Sequence, residues 1–241
     1  MTLGRTPAVG RSAATRSTSI ADLPDLVWWV EPDSQVSGDG VNVDSWTDKS
    51  SAGNTLSETL TNRPTVLANA LDGYSGVKVL SANSQRLKRA NTQLFKTDLT
   101  IGLVLKVNAS VADQRILDTN RAGFAVGLAL AQNGTNYSWV YNGVAFVDGN
   151  AVSTTGYHIL IFSSAKYANP AYRYDRADVA LSGTGLITPS VSSTFILGSD
   201  SGLTNPASVT YVAGFACQRV LSPAQIAFAE NDWKAKYPSL A

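Results

Sequence analysis

Residues 123–149, "GFAVGLALAQNGTNYSWVYNGVAFVDG", decide the fold class of this chain. Apolar runs of strand length alternate here with turn dipeptides, which begin at Asn133, Asn142 and Asp148. Asn-Gly and Asp-Gly readily adopt the positive φ angles that two-residue hairpin turns require. The stretch therefore predicts consecutive antiparallel strands that are joined by tight turns.

Strand-like segments occur along the rest of the chain as well. In "DLTIGLVLKV", residues 98–107, every second residue from Leu99 to Val107 is Leu, Ile or Val. A period of two places these side chains on one face of a strand. Strands at this spacing, with turn residues between them, predict an all-β chain folded as an antiparallel β-sandwich. Further strands are predicted at 25–30, 75–80, 157–163, 171–174, 194–198 and 207–220.

One helix is predicted, close to the end of the chain. Ser222 is followed by Pro223 and, three positions later, by Gln225, which is the pattern of a capping box with proline in the first turn. Pro238 is expected to end the helix. The residues that recur at helical spacing and predict its buried face are Ile226, Ala229, Trp233 and Tyr237.

The composition excludes several classes of function. The formal net charge of +1 over 241 residues gives no overall attraction to nucleic acid or to an anionic membrane. No apolar stretch approaches the roughly 20 residues of a transmembrane helix. A single cysteine, Cys217, and a single histidine, His158, exclude an internal disulfide, a cysteine zinc site and a histidine metal cluster. Both are interpreted as ordinary strand residues, and no cofactor is expected.

The first 24 residues differ in character from the rest. They contain Arg5, Arg11 and Arg16 among many Ser and Thr residues, and they lack the apolar region of a secretory signal. This composition forms no core and predicts an extended basic arm, residues 1–24, ahead of one domain, residues 25–241. We expect the three arginines to dock the arm onto neighbouring chains, and a disordered tail is the alternative.

Residues 41–56, "VNVDSWTDKSSAGNTL", bring an acid, a base and hydroxyls together as an active site does. With "LVWWVEPDSQV", "NRPTVL", "GVKVL" and "RLKRAN", they follow the order found in concanavalin A-like, laminin-G-type jelly-roll domains of bacterial surface and phage structural proteins. The closing "GFACQRVLSPAQIAFAENDWKAKYP" resembles the last strand and helix of the same family. The resemblance covers about residues 25–238, although 108–206 match only in general β character. It implies two curved antiparallel sheets packed face to face.

The resemblance favours scaffold over catalysis in this stretch. It implies that Trp46 caps the edge of the core and that Lys49 points into water. The short carboxylate of Asp48 is expected to accept backbone N–H groups from the turn at Ser50 to Gly53, as aspartate does in Asx turns.

Two pairs of apolar residues are assigned faces in the same way. The resemblance implies that Val41 and Val43 both point inward. It places Trp29 inside the sandwich, and because neighbouring strand residues point to opposite faces, Trp28 would need cover from the arm or from another subunit.

The acidic residues do not predict an active site. A retaining glycosidase needs two carboxyl groups about 5 Å apart, whereas Glu31, Glu58 and Glu230 are far apart in sequence. Calcium would need several close oxygen ligands, and Asp148 and Asp200 are interpreted instead as turn residues. We therefore predict a protein that is not an enzyme, and we assign no metal.

A candidate sugar site lies in "NGTNYSWVYNG". Tyr137, Trp139 and Tyr141 share one face of a predicted strand and are flanked by Asn136 and Asn142. If this face is exposed, the rings form a binding surface, and if it faces the other sheet, they belong to the core. The two-residue spacing fits both, and we favour the core for Trp139 with the tyrosines at the edges.

Two kinds of function remain. The first prediction is a non-enzymatic structural protein of a phage-type virion, such as a capsid decoration, fibre or tail-associated subunit. Its partners would be other virion proteins and further copies of the chain, and it would be located in the virion; this prediction rests on the family resemblance. The alternative is a carbohydrate-binding module that recognises a cell-surface glycan, and a glycan-cleaving enzyme is less favoured. Neither nucleic acid nor a membrane is an expected partner.

Overall fold

The structure is a computed structural model of the chain. It describes residues 19–90, 98–110, 114–119, 128–133, 136–141, 144–165, 170–182, 194–200 and 202–240. For residues 60, 90, 128, 129, 133, 139–141, 144–151 and 182 the description is limited to the backbone.

Strands are the main regular structure of the described residues. Four short 3₁₀ turns lie between them, at Ile20–Asp22, Pro32–Ser34, Leu60–Asn62 and Ser81–Asn83, and one α-helix, α1, spans Pro223–Lys236. The strands are β1 Leu26–Val30, β2 Gln35–Val36, β3 Ser45–Trp46, β4 Leu56–Ser57, β5 Thr65–Leu71, β6 Tyr74–Val79, β7 Leu87–Ala90, β8 Leu99–Val107, β9 Arg115–Asp118, β10 Leu128–Asn133, β11 Asn136–Tyr141, β12 Val144–Ala151, β13 His158–Ser164, β14 Ala171–Tyr174, β15 Ala177–Val179, β16 Leu181–Ser182, β17 Thr194–Leu197 and β18 Val209–Cys217.

The strands form two antiparallel sheets. The first has the order β15-β14-β13-β8-β18-β6-β5, and β1 also pairs with β18. The second has the order β16-β12-β11-β10-β9-β17-β7-β4-β3-β2. All pairings between named strands are antiparallel among the described residues. The predicted all-β antiparallel sandwich with one C-terminal helix is confirmed.

The main core lies between the sheets. Strand β8 shows why: the alternating residues predicted for one face, from Leu99 to Val107, all belong to this core. Val104, one position out of phase, lies instead in the second core, on the opposite face of the sheet. The period of two in the sequence thus separates the two faces of a strand that is buried on both sides.

A second core fills the space between the first sheet and helix α1. Ser222 caps the helix and Gln225 completes the capping box, as predicted. Trp233 is fully buried and its ring packs 5.2 Å from that of Phe215 on β18. The other predicted face residues of the helix, Ile226, Ala229 and Tyr237, also belong to this core. The helix therefore covers the outer face of the first sheet.

The two hairpins predicted from Asn-Gly sequences are present. Tyr141 pairs with Val144, so residues 142 and 143 connect these strands, as predicted. Asn133 pairs with Asn136, so residues 134 and 135 make the first connection, one position later than predicted. The predicted turn at Asp148 is wrong, because strand β12 continues through it. The register between β11 and β12 shifts opposite this point, and a β-bulge of this kind absorbs extra residues without ending the strand.

The faces assigned to the tryptophan pair are also wrong. Trp28 is fully buried between the sheets, with its ring 4.9 Å from that of Phe195, while Trp29 is half-buried on the opposite face. The register shift that separates Leu26 from Trp28 in the pairing with β18 changes the phase of the strand at this point. Trp28 is therefore covered by its own domain.

The two valines assigned to the core in the 41–56 stretch differ in burial. Val43 is fully buried in the main core, as the resemblance implied. Val41 is 59% exposed, so its predicted inward direction is wrong. Its carbonyl accepts a hydrogen bond from the Val66 N–H, which ties its backbone to β5.

Candidate functional site

A pocket of about 340 Å³ opens beside strand β1. Two separate chain segments build its wall: the approach to β1 together with the strand itself, and the turn that follows Trp46. We call it the Trp29 pocket. The described residues that line it are Ala21, Leu23, Asp25, Leu26, Trp29, Lys49, Ser50 and Ser51.

One carboxylate holds the second segment in place. Asp48 accepts hydrogen bonds from the N–H groups of Ser50, at 2.8 Å, and Asn54, at 2.6 Å, and from the Ser50 hydroxyl at 2.8 Å. It also accepts one from the Trp29 N–H at 2.9 Å. We call residues 48–54 the Asp48 corner. Its carboxylate folds the turn and fastens it to β1.

Further hydrogen bonds join the Asp48 corner to its neighbours. The Lys49 N–H donates to the Trp29 carbonyl at 2.7 Å, and the Asn54 amide donates to the Val27 carbonyl at 2.8 Å. The indole N–H of Trp46, which is buried, donates to the Glu31 carbonyl at 2.7 Å. Backbone and side-chain hydrogen bonds therefore hold the two pocket walls together.

Lys49 does not point into free water, so that expectation is wrong. Its ammonium lies 2.7 Å from Glu31 and 3.0 Å from Asp33, and it sits 4.7 Å from the centre of the Trp29 ring. Burial disfavours the charged amine, but hydrogen bonds to Glu31 and then Asp33 outweigh it, and the pKa of Lys49 is raised. A local cation–π contact and two ion pairs thus fix this side chain.

Glu31 connects the pocket to the C-terminal helix. Its side chain is 8% exposed, and its second oxygen lies 3.0 Å from the ammonium of Lys236. Nearby on the helix, burial and then the charge of Glu31 raise the pKa of Asp232. The charges behind the pocket wall therefore form one connected cluster.

The rim of the Trp29 pocket carries polar groups that face water. The Asp25 side chain is 61% exposed and lies 3.5 Å from the guanidinium of Arg219. Ser51 is exposed, whereas the Ser50 hydroxyl is engaged with Asp48. An indole beside a carboxylate and a hydroxyl is a surface on which a sugar ring can stack and form hydrogen bonds.

Among the predicted sugar-binding aromatic residues, the structure describes the side chain of Tyr137 alone. Tyr137 is fully buried in the main core, with its ring 5.9 Å from that of Tyr174, so it offers no surface to a ligand and does not lie at an edge. Trp139 and Tyr141 lie in β11, but their side chains are outside the described residues, as is the whole of Asn142.

The arm residues Arg5, Arg11 and Arg16 also lie outside the described residues. The description begins at Ser19. From there, Ile20 is fully buried and belongs to the core beneath helix α1. The predicted division into an arm and a domain stays a prediction.

The two aspartates weighed as calcium ligands have different outcomes. Asp200 accepts hydrogen bonds from the Thr204 N–H at 2.8 Å and the Asn205 amide at 2.9 Å, as a turn residue does. The side chain of Asp148 is not described. Within the described part of the chain, no group of three or more His, Cys, Asp or Glu side chains is placed to hold a metal ion.

Two pairs of neighbouring acidic side chains in the described structure each share a basic partner. Glu31 and Asp33 both bind Lys49, and Asp39 and Asp44 both contact Arg63. A catalytic pair needs one carboxyl group free to give a proton and the other free to attack or to activate water. These pairs are arranged as ion pairs instead.

Neither of the two single reactive residues lines the Trp29 pocket. Cys217 is fully buried, and burial raises the pKa of its thiol to about 12, which suppresses the nucleophilic thiolate. The ring nitrogens of His158 lie 2.6 Å from the Asp175 carboxylate and 2.9 Å from the Thr155 carbonyl. Both residues serve as parts of strands.

Five of the eight lining residues of the Trp29 pocket lie in the quoted sequences, but those sequences did not show that they meet, and Ala21, Leu23 and Asp25 lie outside them. Lys49 and Ser51 belong to the 41–56 stretch, and Trp29 belongs to the strand before it. Asp48 was the residue that could have indicated the pocket, because its carboxylate also binds the backbone of a second chain segment. That this segment is β1 follows only from the folded structure.

No helix among the described residues is long and apolar enough to cross a membrane.

No known protein-family profile matches the chain, and no curated protein matches it. Solved structures do. The binding domain of Paraclostridial Mosquitocidal Protein 1 superposes with a TM-score of 0.63 at 12% identity, over 87% of this chain and 52% of that one. The receptor-binding domain of botulinum neurotoxin mosaic serotype C/D, with tetraethylene glycol on its Hcn sub-domain, gives 0.59 at 13% identity, over 86% and 50%.

A third structure is the binding domain of botulinum neurotoxin DC in complex with SialylT. It has a TM-score of 0.58 at 7% identity, over 86% of this chain and 51% of that one. The chain thus spans about half the length of these structures. None of the three is named as a concanavalin A-like or laminin-G-type protein, so that resemblance stays a prediction. At such low identity the likeness is one of fold: this chain has the β-sandwich that occupies about half of each toxin binding domain.

Proposed function

We propose that this chain is a non-catalytic binding domain that recognises a cell-surface glycan through the Trp29 pocket. The observation that carries the proposal is the pocket wall itself. It combines the half-buried indole of Trp29 with the exposed carboxylate of Asp25 and the exposed hydroxyl of Ser51. Sugars present an apolar ring face and many hydroxyls, and this wall suits both.

Rigidity of the wall adds support. Hydrogen bonds from the backbone to Asp48 set the position of the Asp48 corner before any ligand arrives. A site that is already ordered loses less conformational entropy on binding. The structural neighbours are binding domains of toxins, and one is a complex with SialylT, which favours a binding role over a catalytic one for a chain of this fold.

The test is a glycan array probed with the whole chain and with two matched variants. Ser51→Trp places a large side chain at the pocket, and Ala52→Trp makes the same change at the next exposed position, which does not line the pocket. We expect Ser51→Trp to abolish binding and Ala52→Trp to retain it. Neither change removes a core contact, so both variants are expected to fold.

Two results would contradict the proposal. One is a wild-type chain that binds no glycan on the array, and the other is equal binding by wild type and Ser51→Trp. Incubation of the bound glycan with the wild-type chain should release no new reducing ends. Their appearance would overturn the non-catalytic part.

The virion role stays a prediction from the sequence resemblance. Its proposed contacts, Arg5, Arg11 and Arg16, lie outside the described residues. Assembly with virion proteins or with further copies of the chain has no support in the toxin structures above. A glycan-binding role is the better supported of the two, and it is compatible with many locations.

A further inference from the structure

The charges around the Trp29 pocket indicate what kind of glycan it accepts, an inference that rests on the proposed function. Lys49 is the basic residue among the described lining residues. Its ammonium has three N–H donors. They are directed at Glu31, at 2.7 Å, and at the two oxygens of Asp33, at 3.1 and 3.0 Å. The positive charge is therefore already paired within the chain.

Releasing Lys49 to a ligand would be unfavourable. Glu31 is nearly buried, with its side chain 8% exposed. A ligand that drew Lys49 away would leave this desolvated carboxylate with one fewer basic partner. The other base that contacts Glu31 is Lys236, at 3.0 Å, on helix α1. An anionic ligand would thus compete with an ion pair that the fold has already built.

The remaining charge on the pocket wall is negative. Asp25 is 61% exposed, and its nearest basic group, on Arg219, lies 3.5 Å away and is itself 48% exposed. Asp33, on the other side of Lys49, is 66% exposed. Asp33 lies outside the pocket lining, so a ligand carboxylate would meet the like charge of Asp25, and a ligand hydroxyl would find an acceptor in it.

We propose that the Trp29 pocket accepts uncharged glycans and excludes glycans that carry a carboxylate. Asp25 acts as the main determinant of this selectivity, because its carboxylate is exposed at the rim and is held by one weak ion pair. Trp29 and Ser51 supply contacts that do not depend on ligand charge.

The test compares each acidic glycan with its uncharged ester and with the neutral glycan that lacks the acidic sugar. The array carries neutral oligosaccharides, each beside its sialylated form and the methyl ester of that sialylated form. The ester keeps the size of the acidic sugar and removes its charge. We expect the neutral form and the ester to bind, and the free acid to bind at least about tenfold more weakly, since like charges a few ångströms apart at a protein surface repel by this order.

A matched pair of variants assigns the effect to Asp25. Asp25 has a φ of 53°, a conformation that asparagine also tolerates, so Asp25→Asn preserves the backbone. We expect Asp25→Asn to reduce the difference in affinity between the acid and the ester. Asp178→Asn makes the same change at an exposed residue of the β14–β15 hairpin and should leave this difference unchanged.

The failures are distinguishable. A chain that binds no glycan overturns the proposed function and this inference together. Binding that is blocked in Ser51→Trp but equally strong for acid and ester overturns the charge selectivity alone. An acid–ester difference that persists unchanged in Asp25→Asn overturns the role of Asp25.

Discussion

Asp48 shows how a single side chain can organise a corner of a β-sandwich. It is 7% exposed and accepts four hydrogen bonds, from the N–H groups of Trp29, Ser50 and Asn54 and from the Ser50 hydroxyl. Water cannot easily replace such an acceptor, because the donors are themselves partly buried. Leaving a buried donor unsatisfied costs about 1–3 kcal/mol.

Asp48→Ala is therefore expected to lower the free energy of unfolding by about 3 kcal/mol, since several donors lose their acceptor at once. Chemical denaturation monitored by tryptophan fluorescence measures this loss. Thr47→Ala changes the exposed neighbouring residue and should cost less than about 0.5 kcal/mol. Equal, small losses in the two variants would show that the corner holds its shape without the carboxylate.

Around the Trp29 pocket, the sequence predicted the role of some residues and not of others. The bond from the Ser50 N–H to Asp48 spans two positions and was predicted from the residue types, whereas the bond from the Asn54 N–H lies one residue beyond the predicted turn. The faces of Trp28 and Trp29 were assigned incorrectly, because a shift of one residue exchanges them and leaves the apolar pattern unchanged. The register shift that decides between them depends on the pairing of β1 with β18, which is remote in sequence.

Among the elements, those with local signals were predictable. The two Asn-Gly hairpins and helix α1 carry their start and stop signals within a few residues. The two-residue strands β2, β3 and β4 do not, because such short strands exist only through their neighbours in the sheet. The Trp29 pocket was beyond prediction for the same reason: its two walls meet only after β1 and the Asp48 corner have been joined.

Helix α1 is attached to the sandwich by a buried ion pair as well as by its apolar face. Arg173 on β14 holds Glu230 with two hydrogen bonds, at 2.8 and 3.2 Å, and the Glu230 side chain is 2% exposed. Hydrogen bonding to Glu230, opposed by burial and aided by Asp178, raises the pKa of Arg173. The guanidinium therefore compensates a carboxylate that has lost its water.

Arg173→Met should lower the free energy of unfolding by about 2–3 kcal/mol, because it leaves the Glu230 carboxylate buried and unpaired, with some relief from the partial exposure of the site. Urea denaturation followed by circular dichroism measures the change. Arg176→Met, an equal change at an exposed position of the same hairpin, should cost about 0.5 kcal/mol or less. In Arg173→Met/Glu230→Met the buried charge is gone, and much of the stability should return. A double variant no more stable than Arg173→Met would contradict this account.

At the scale of the whole molecule, the carboxylates make stability depend on pH. Folding lowers the pKa values of five carboxyl groups among the described residues. In Glu58, burial opposes the shift, but hydrogen bonds from Arg86, then the Thr59 N–H and Lys88, outweigh it. Asp232 is an exception, since burial and then the charge of Glu31 raise its pKa. The other groups with lowered pKa values are Asp39, Asp44, Asp72 and Asp200.

More of the described carboxyl groups have lowered pKa values than raised ones, so we expect the stability of the fold to decrease on acidification. A carboxylate with a lowered pKa in the folded chain contributes stability that is complete above its unfolded pKa, about 4, and is lost as pH falls through its folded pKa. Asp232 acts in the opposite sense, because its raised pKa favours the folded, protonated form on acidification.

We expect the melting temperature to be lower at pH 3 than at pH 6. Glu58→Gln removes one titrating group, so the difference between the two pH values should shrink in this variant. A melting temperature that rises on acidification, or a pH difference that Glu58→Gln leaves unchanged, would show that the ion pairs seen here do not govern the acid sensitivity of the fold.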